Sequence, residues 1–141
     1  MTTNTSMSVF NKCTDSEKNI VFKKHEIENV FWDDSKSVNL NLGYENADDV
    51  NIYIPKTQND MSGYIEPKFY IGINDTWTLN NGDLIVKGQT FENQVSSIKE
   101  LKEKYNDVFT ITLVDDKDFG SANMHHFEIR GKWWDYLLTI L

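Results

Sequence analysis

The run Val50-Asn-Ile-Tyr-Ile54 ahead of Pro55, and its counterpart Phe109-Thr-Ile-Thr-Leu113, decide the fold. In each, apolar residues fall at every second position. In an extended chain Val50, Ile52 and Ile54, or Phe109, Ile111 and Leu113, therefore share one face. Threonine suits the open face of such a sheet because its branched side chain packs on a pleated surface. Pro55 cannot donate to a ladder and so ends its strand. Ser37-Val-Asn-Leu-Asn-Leu42 shows the same period, with Val38, Leu40 and Leu42 opposite Ser37, Asn39 and Asn41. His25 to Trp32, Leu84 to Val86 and His125 to Ile129 read as further strands.

Turn chemistry separates these runs. Asn81-Gly82-Asp83 is a strong turn signal, and Asp118-Phe-Gly120-Ser fits a second connection. One helix is predicted over about 96–105. Ser97 and Glu100 have the spacing of a capping box, and Ile98, Leu101 and Tyr105 fall on one face. The product is a mainly β domain, a small β-barrel or sandwich of six to eight short strands with one short helix.

The 141 residues fit one domain over 1–141, with a flexible N-terminal arm at 1–7 and an apolar C-terminal extension at 133–141. No apolar run approaches the ~18 residues of a spanning helix, and the first residues lack the basic and apolar regions of a signal peptide. No membrane partner is expected. With 22 Asp and Glu against 14 Lys and Arg, the net charge of −8 argues against a surface that tracks phosphates. Cys13, the single cysteine, cannot form an internal disulfide or a cysteine metal cage.

No residue pattern points to catalysis or to a cofactor. His125 and His126 are adjacent, and adjacent strand residues point to opposite faces, so the two do not chelate one metal together. His125 reads as a core-edge imidazole on the face of Phe127 and Ile129, while His126 joins Glu128 and Arg130. A zinc site built from His25 would need carboxylates from elsewhere in the chain. Asp115-Asp-Lys-Asp118-Phe-Gly120 has closely spaced acceptors, but its glycine is at the wrong offset for an EF-hand and no closing glutamate follows. It reads as a solvated hairpin loop. Asp33-Asp34 and Asp48-Asp49 read as strand-end and turn acids. Cys13 has no Cys-His motif around it, and no serine lies in a nucleophile elbow. The expectation is a protein that is not an enzyme.

The C-terminal end differs. Within Trp133-Trp-Asp-Tyr-Leu-Leu-Thr-Ile-Leu141, residues 133, 134, 137, 138 and 141 share one face if the segment is helical, whereas a strand would bury two apolar faces. Tryptophan and tyrosine bury much area with few rotatable bonds, which suits interface centres. The candidate interface residues are therefore Trp133, Trp134, Tyr136, Leu137, Leu138 and Leu141, together with the outward set His126, Glu128 and Arg130. The alternative for 133–141 is a last core element of its own domain. The polar segment 56–66, after a proline-terminated strand, reads either as a long flexible connection or as a turn held against the body.

Six blocks carry a resemblance: Val9-Phe-Asn-Lys12, Ile27-Glu-Asn-Val-Phe-Trp32, Ala47-Asp-Asp-Val-Asn-Ile-Tyr-Ile-Pro55, Gly82-Asp-Leu-Ile-Val-Lys-Gly88, Val108-Phe-Thr-Ile-Thr112, and Gly120-Ser-Ala-Asn-Met-His-His126 through Gly131-Lys132. In this order they resemble an uncharacterised family of tailed-bacteriophage proteins from phages and prophages of Gram-positive hosts. The order of elements is also similar to that of head-tail joining proteins, small β-barrels that form rings between portal and tail. The resemblance implies a structural virion protein, a neck or stopper component assembled in the host cytoplasm. Its partners would be further copies of itself, the neighbouring portal-side and tail proteins, and DNA that passes without tight or specific binding. A tail terminator or tail-completion protein is the alternative in the same class. A small phage enzyme or a monomeric host-interaction factor is the alternative in another. The extension beyond Lys132 lies outside the shared pattern.

Overall fold

The alternating runs become strands, and the ladders join them into one antiparallel sheet. The computed structural model describes residues 2–34 and 49–133. Its strands are β1 (Thr5–Thr14), β2 (Ile20–Asp33), β3 (Asp49–Pro55), β4 (Leu84–Lys87), β5 (Gln94–Val95), β6 (Val108–Lys117) and β7 (His126–Lys132), with one short helix, α1 (Ile98–Lys102), between β5 and β6. The order is β1-β4-β6-β7-β3-β2-β5, and β1 also pairs with β2. Six strands thus follow one another in a ring and the sheet closes on itself, with β5 added to β2. Closure removes the exposed edges that make an open sheet prone to pairing with other chains.

The inward phase forms the main core. Met7 and Val9 of β1, Trp32 of β2, Ile52 of β3, Phe109 of β6 and Ile129 of β7 meet there, joined by Trp77 and Leu79 from the long connection before β4. Gly131 shares this face. A methyl at its Cα would stand 3.0 Å from Val50 Cγ1, 3.1 Å from Ile85 Cδ1 and 3.1 Å from Phe109 Cβ. A second, smaller core lies outside the ring, where α1 and β5 cover Phe10, Leu84, Val86 and Val108 with Leu101 and Val95. Strand β1 is consequently buried on both faces from Met7 to Asn11.

Four sequence expectations change. The arm expected at 1–7 is shorter, because β1 begins at Thr5 and Met7 is wholly buried. Leu113 does not continue the inward phase of Phe109 and Ile111. The β6–β7 register slips between Ile111 and Leu113, so Thr112 is an extra residue. That bulge turns Leu113 outward, 48% exposed, and gives the inward place to Val114. The helix spans five residues rather than ten, and the Ser97 side chain makes no capping bond. Glu100 instead accepts from the Ser96 N–H at 3.3 Å. The face expected for it is correct, since Leu101 is buried and Ile98 and Tyr105 pack beside it. Asp115 to Lys117, expected in a hairpin loop, belong to β6. The strand expected over 37–42 lies outside the described residues.

Segment 56–66 lies against the body. Asn59 accepts from the Asn29 N–H at 2.9 Å and donates to Asn29 O at 2.8 Å and Pro55 O at 2.9 Å. The Trp77 indole donates to Ser62 O at 3.1 Å, and Ile65 donates to Trp77 O at 2.8 Å. Lys56 binds Asp116 at 2.6 Å and Asp118 at 2.5 Å while its ammonium lies 4.5 Å from the centre of the Phe127 ring. These contacts seat the connection on β2, β6 and β7.

A polar network fixes the far end of the same connection. Asn11, which continues the inward phase of Met7 and Val9, is 1% exposed, and Asp83 is 2% exposed. The Asn11 amide donates to Thr78 O at 2.7 Å and to Asp83 Oδ2 at 2.8 Å, and accepts from the Thr78 N–H at 3.1 Å. Asp83 also accepts from the backbone N–H of Lys12 at 2.9 Å and of Asn80 at 3.0 Å. The turn Asn80 to Asp83 needs Gly82 at φ 91, a backbone conformation that costs glycine little. Burial pushes the Asp83 carboxyl up to about 6, against the downward pull of these donors.

Removing the Asn11 amide leaves the buried Thr78 N–H without its acceptor and Thr78 O and Asp83 Oδ2 without a donor, so Asn11→Ala should cost about 2–4 kcal/mol in urea unfolding. A midpoint indistinguishable from wild type would show that the network carries no weight. Because the folded state holds the Asp83 proton more tightly than the unfolded chain, its contribution is full below about pH 4 and is lost as pH rises through about 6. Wild type should therefore lose on the order of 3 kcal/mol relative to Asp83→Asn between pH 4 and 7. Parallel stability profiles for the two proteins would refute the assignment. Gly131→Ala should cost about 1–3 kcal/mol by overpacking, read from the same transition.

Candidate assembly surface

Three strands on one side of the ring set their outward side chains in rows. The registers align Asn51 of β3 with Arg130 of β7 and Leu113 of β6, then Tyr53 with Glu128 and Asp115, then Pro55 with His126 and Lys117. Period two accounts for β3 and β7, and the bulge at Thr112 brings β6 into the same phase. Without that extra residue the outward set of β6 would be Thr112, Val114 and Asp116. His126, Glu128 and Arg130, singled out from the sequence, thus stand together on the outer wall.

The wall mixes apolar and charged side chains, with Glu128 at its centre between Tyr53 and Asp115 and with Leu113 at one corner. Tyr53 lies 6.1 Å from the Phe31 ring and 6.2 Å from the His126 ring, and Leu113 stands across Arg130 from Asn51. Lys117 reaches Asp115 at 2.9 Å and Glu128 at 3.5 Å. The bond to Asp115, with that carboxylate's charge, holds the Lys117 ammonium above its ordinary range. His126 Nδ1 lies 2.9 Å from Met124 O, and Nε2 lies 3.8 Å from Glu128 Oε1. Arg130 Nε donates to Asn51 Oδ1 at 3.4 Å. A groove of ≈ 240 Å³ runs between Asn51, Tyr53, Leu113, Asp115, Glu128 and Arg130. The wall balances Asp115 and Glu128 against Lys117 and Arg130, on a chain whose net charge is −8.

The remaining sequence candidates lie elsewhere. Trp133 packs against the main core, with Lys102 Nζ 4.0 Å from the centre of its indole. Trp134, Tyr136, Leu137, Leu138 and Leu141 lie outside the described residues. His125 precedes β7, with Nδ1 3.6 Å from Asp118 Oδ1. His25 stacks on Trp77 at 4.3 Å and 7° and lines a cavity of ≈ 260 Å³ with Glu26, Glu28 and Asp60. Burial lowers the imidazole pKa, while Asp60 and Glu26 oppose the shift. Among the described residues no group of three or more His, Cys, Asp or Glu is placed to hold a metal ion.

Sequence reasoning missed Tyr53 and Leu113 as members of the wall. Tyr53 was legible, since it alternates with Ile52 and Ile54. Leu113 was not, because nothing in Phe109-Thr-Ile-Thr-Leu113 marks the bulge.

Fold and wall together define a small β protein with a closed antiparallel sheet and one outer face of mixed aromatic and paired-charge character. The chain belongs to the Family of unknown function DUF6751, whose model matches residues 1–132 and so ends with the last residue of β7. No curated protein and no solved structure matches it.

Trp133→Ala should lower stability by about 2 kcal/mol, read from the urea midpoint, because it removes half-buried ring area and a cation–π contact. A change within ±0.5 kcal/mol would mean that the ring only rests on the surface. Leu113→Ser, at an exposed site, should fall within that narrow range.

Proposed function

We propose that the chain is a structural virion protein of a tailed bacteriophage, a head-tail connector of the neck or stopper type that forms a homo-oligomeric ring between portal and tail. The observation that carries the reading is the outer wall of β3, β7 and β6. It gives a strongly acidic chain a surface of balanced charge that also carries the Tyr53 and His126 rings, on which another protein can sit without facing net repulsion. The sequence resemblance supplies the context, and its six blocks fall on β1, β2, β3, β4, β6 and β7, the strands of the closed ring.

The role is mechanical. Closed sheets packed side by side make a rigid collar, and an acidic chain offers passing DNA few of the lysine and arginine contacts that would hold it. Segment 56–66 belongs to the rigid body in this reading, since its hydrogen bonds to β2 and the Lys56 pairs anchor it. The tail-terminator alternative shares the ring and differs in position along the axis.

Mass spectrometry of purified particles from a phage that encodes this chain tests the proposal. The expected result is the chain at several copies per particle, placed at the head-tail junction by a reconstruction. A chain absent from particles, in a phage whose particles assemble normally without the gene, overturns it.

A further inference from the structure

We infer that successive copies join head to tail, with Phe91 of one copy seated in the groove between Tyr53, Leu113 and Arg130 of the next. The inference deepens the ring reading by naming the two surfaces that meet.

Phe91 is the most exposed large apolar residue described, at 94%. It projects from a loop that is pinned on both sides. The Phe91 N–H donates to the Tyr105 hydroxyl at 3.0 Å, and that hydroxyl donates to Glu92 Oε1 at 2.7 Å. Lys104 holds the other Glu92 oxygen at 2.7 Å. These bonds, Lys104 first, depress the Glu92 carboxyl to about 2. Lys24 donates from its ammonium to Thr90 O at 2.8 Å and from its backbone to Asn93 O at 2.9 Å. Thr90 itself is buried and donates to Ser8 Oγ at 3.3 Å. An aromatic side chain carried on a pinned backbone has only its own two torsions to lose on docking, which favours a binding hot spot.

The partner surface follows from topology. The Phe91 loop is anchored on β1 and β2 through Ser8 and Lys24. In the ring order β1-β4-β6-β7-β3-β2, β7 stands opposite β1 and β6 stands opposite β2. The groove on the β3, β7 and β6 wall is therefore on the far side of the same molecule from the knob. Knob and groove on opposite walls cannot satisfy each other within a two-fold pair, but repeat from copy to copy and close when the rotation allows.

Charge does not oppose this arrangement. Lys104 pairs with Glu92 beside the knob, and Lys117 pairs with Asp115 and Glu128 beside the groove, so two copies of an acidic chain meet here without net repulsion. Arg130 is placed to lie against the incoming ring. One buried phenylalanine removes roughly 150–250 Å² from water, well below the ~800 Å² per partner of a standard stable interface. A single junction is thus weak, and closure, in which every copy makes two junctions, is what holds the assembly.

The test uses the full chain at millimolar concentration with the photo-crosslinker p-benzoylphenylalanine at position 91. Illumination should give a ladder of covalent oligomers, with cross-links mapping to 51–53, 113–115 or 128–130 of a second copy. A monomer only, or cross-links that map to other residues, overturns the inference. Phe91→Ala and Leu113→Arg, both at exposed positions, should each weaken self-association at least tenfold by analytical ultracentrifugation with unchanged urea midpoints. Mixed one to one, they should form dimers but no longer chains, because one intact knob meets one intact groove. A mixture that stays monomeric, or variants that associate as wild type does, overturns the head-to-tail contact. These outcomes are independent of particle composition. A chain present in particles with cross-links elsewhere leaves the connector reading intact, and a chain absent from particles with the expected cross-links removes only that reading.

Discussion

The Asn11–Asp83 pair is the interaction on which the rest of the molecule hangs. The connection from Lys56 to Asp83 contains no strand, yet it delivers Trp77 and Leu79 to the main core. Beyond the Tyr64–Trp77 bridge and the bonds of Gly82 and Asp83 to Ile111, its backbone has no ladder to complete, so side chains fix much of it. Asn11 binds the backbone of Thr78 through its own amide group and Asp83 through the same nitrogen, so one residue of β1 sets both the end of the connection and the start of β4. Asp83 returns the constraint to β1 through the Lys12 N–H. Polar groups this deeply buried are costly unless satisfied, and satisfied they admit one arrangement of the surrounding chain.

A narrow closed sheet turns that local constraint into a global one. Gly131 has no room for a methyl among Val50, Ile85 and Phe109, which belong to three other strands. A shift of β4 relative to β1 would therefore press β6 and β7 against β3. Ring closure through the β1–β2 ladder completes the coupling, since each strand of the ring has neighbours on both edges. The second core follows from the same geometry. Phe10 and Leu84 are opposed residues on the outer face, and α1 and β5 cover them because two large apolar side chains there would otherwise face water.

What the sequence revealed depended on how differently the two faces of each strand are buried. Val50, Ile52 and Ile54 alternate cleanly because β3 has one wet face, and the strand was read to within a residue. Strand β1 gave no such signal, since Met7 to Asn11 are buried on both sides and the run Met-Ser-Val-Phe-Asn has no period. The Thr112 bulge was invisible because a bulge is set by the partner strand, and one slipped residue reversed the reading of Leu113. Asn11 and Asp83 are 72 positions apart, so the turn residue Asp83 was legible while its partner was not. The outer wall was half legible. His126, Glu128 and Arg130 follow from period two, whereas their neighbours Asn51, Tyr53, Leu113 and Asp115 come from registers that only the folded sheet supplies.

The bulge also explains why the wall has its present character. In unbroken alternation β6 would keep Leu113 inside and turn Val114 and Asp116 outward, beside Glu128 on β7. The extra residue puts Leu113, Asp115 and Lys117 on the outer face instead, where the Lys117–Asp115 pair stands beside Glu128. One inserted threonine thus converts a wall that would carry an unpaired acid into one where Lys117 answers both Asp115 and Glu128. The balanced wall is a consequence of strand register rather than of composition, which is why a chain of net charge −8 can still present a face without net charge.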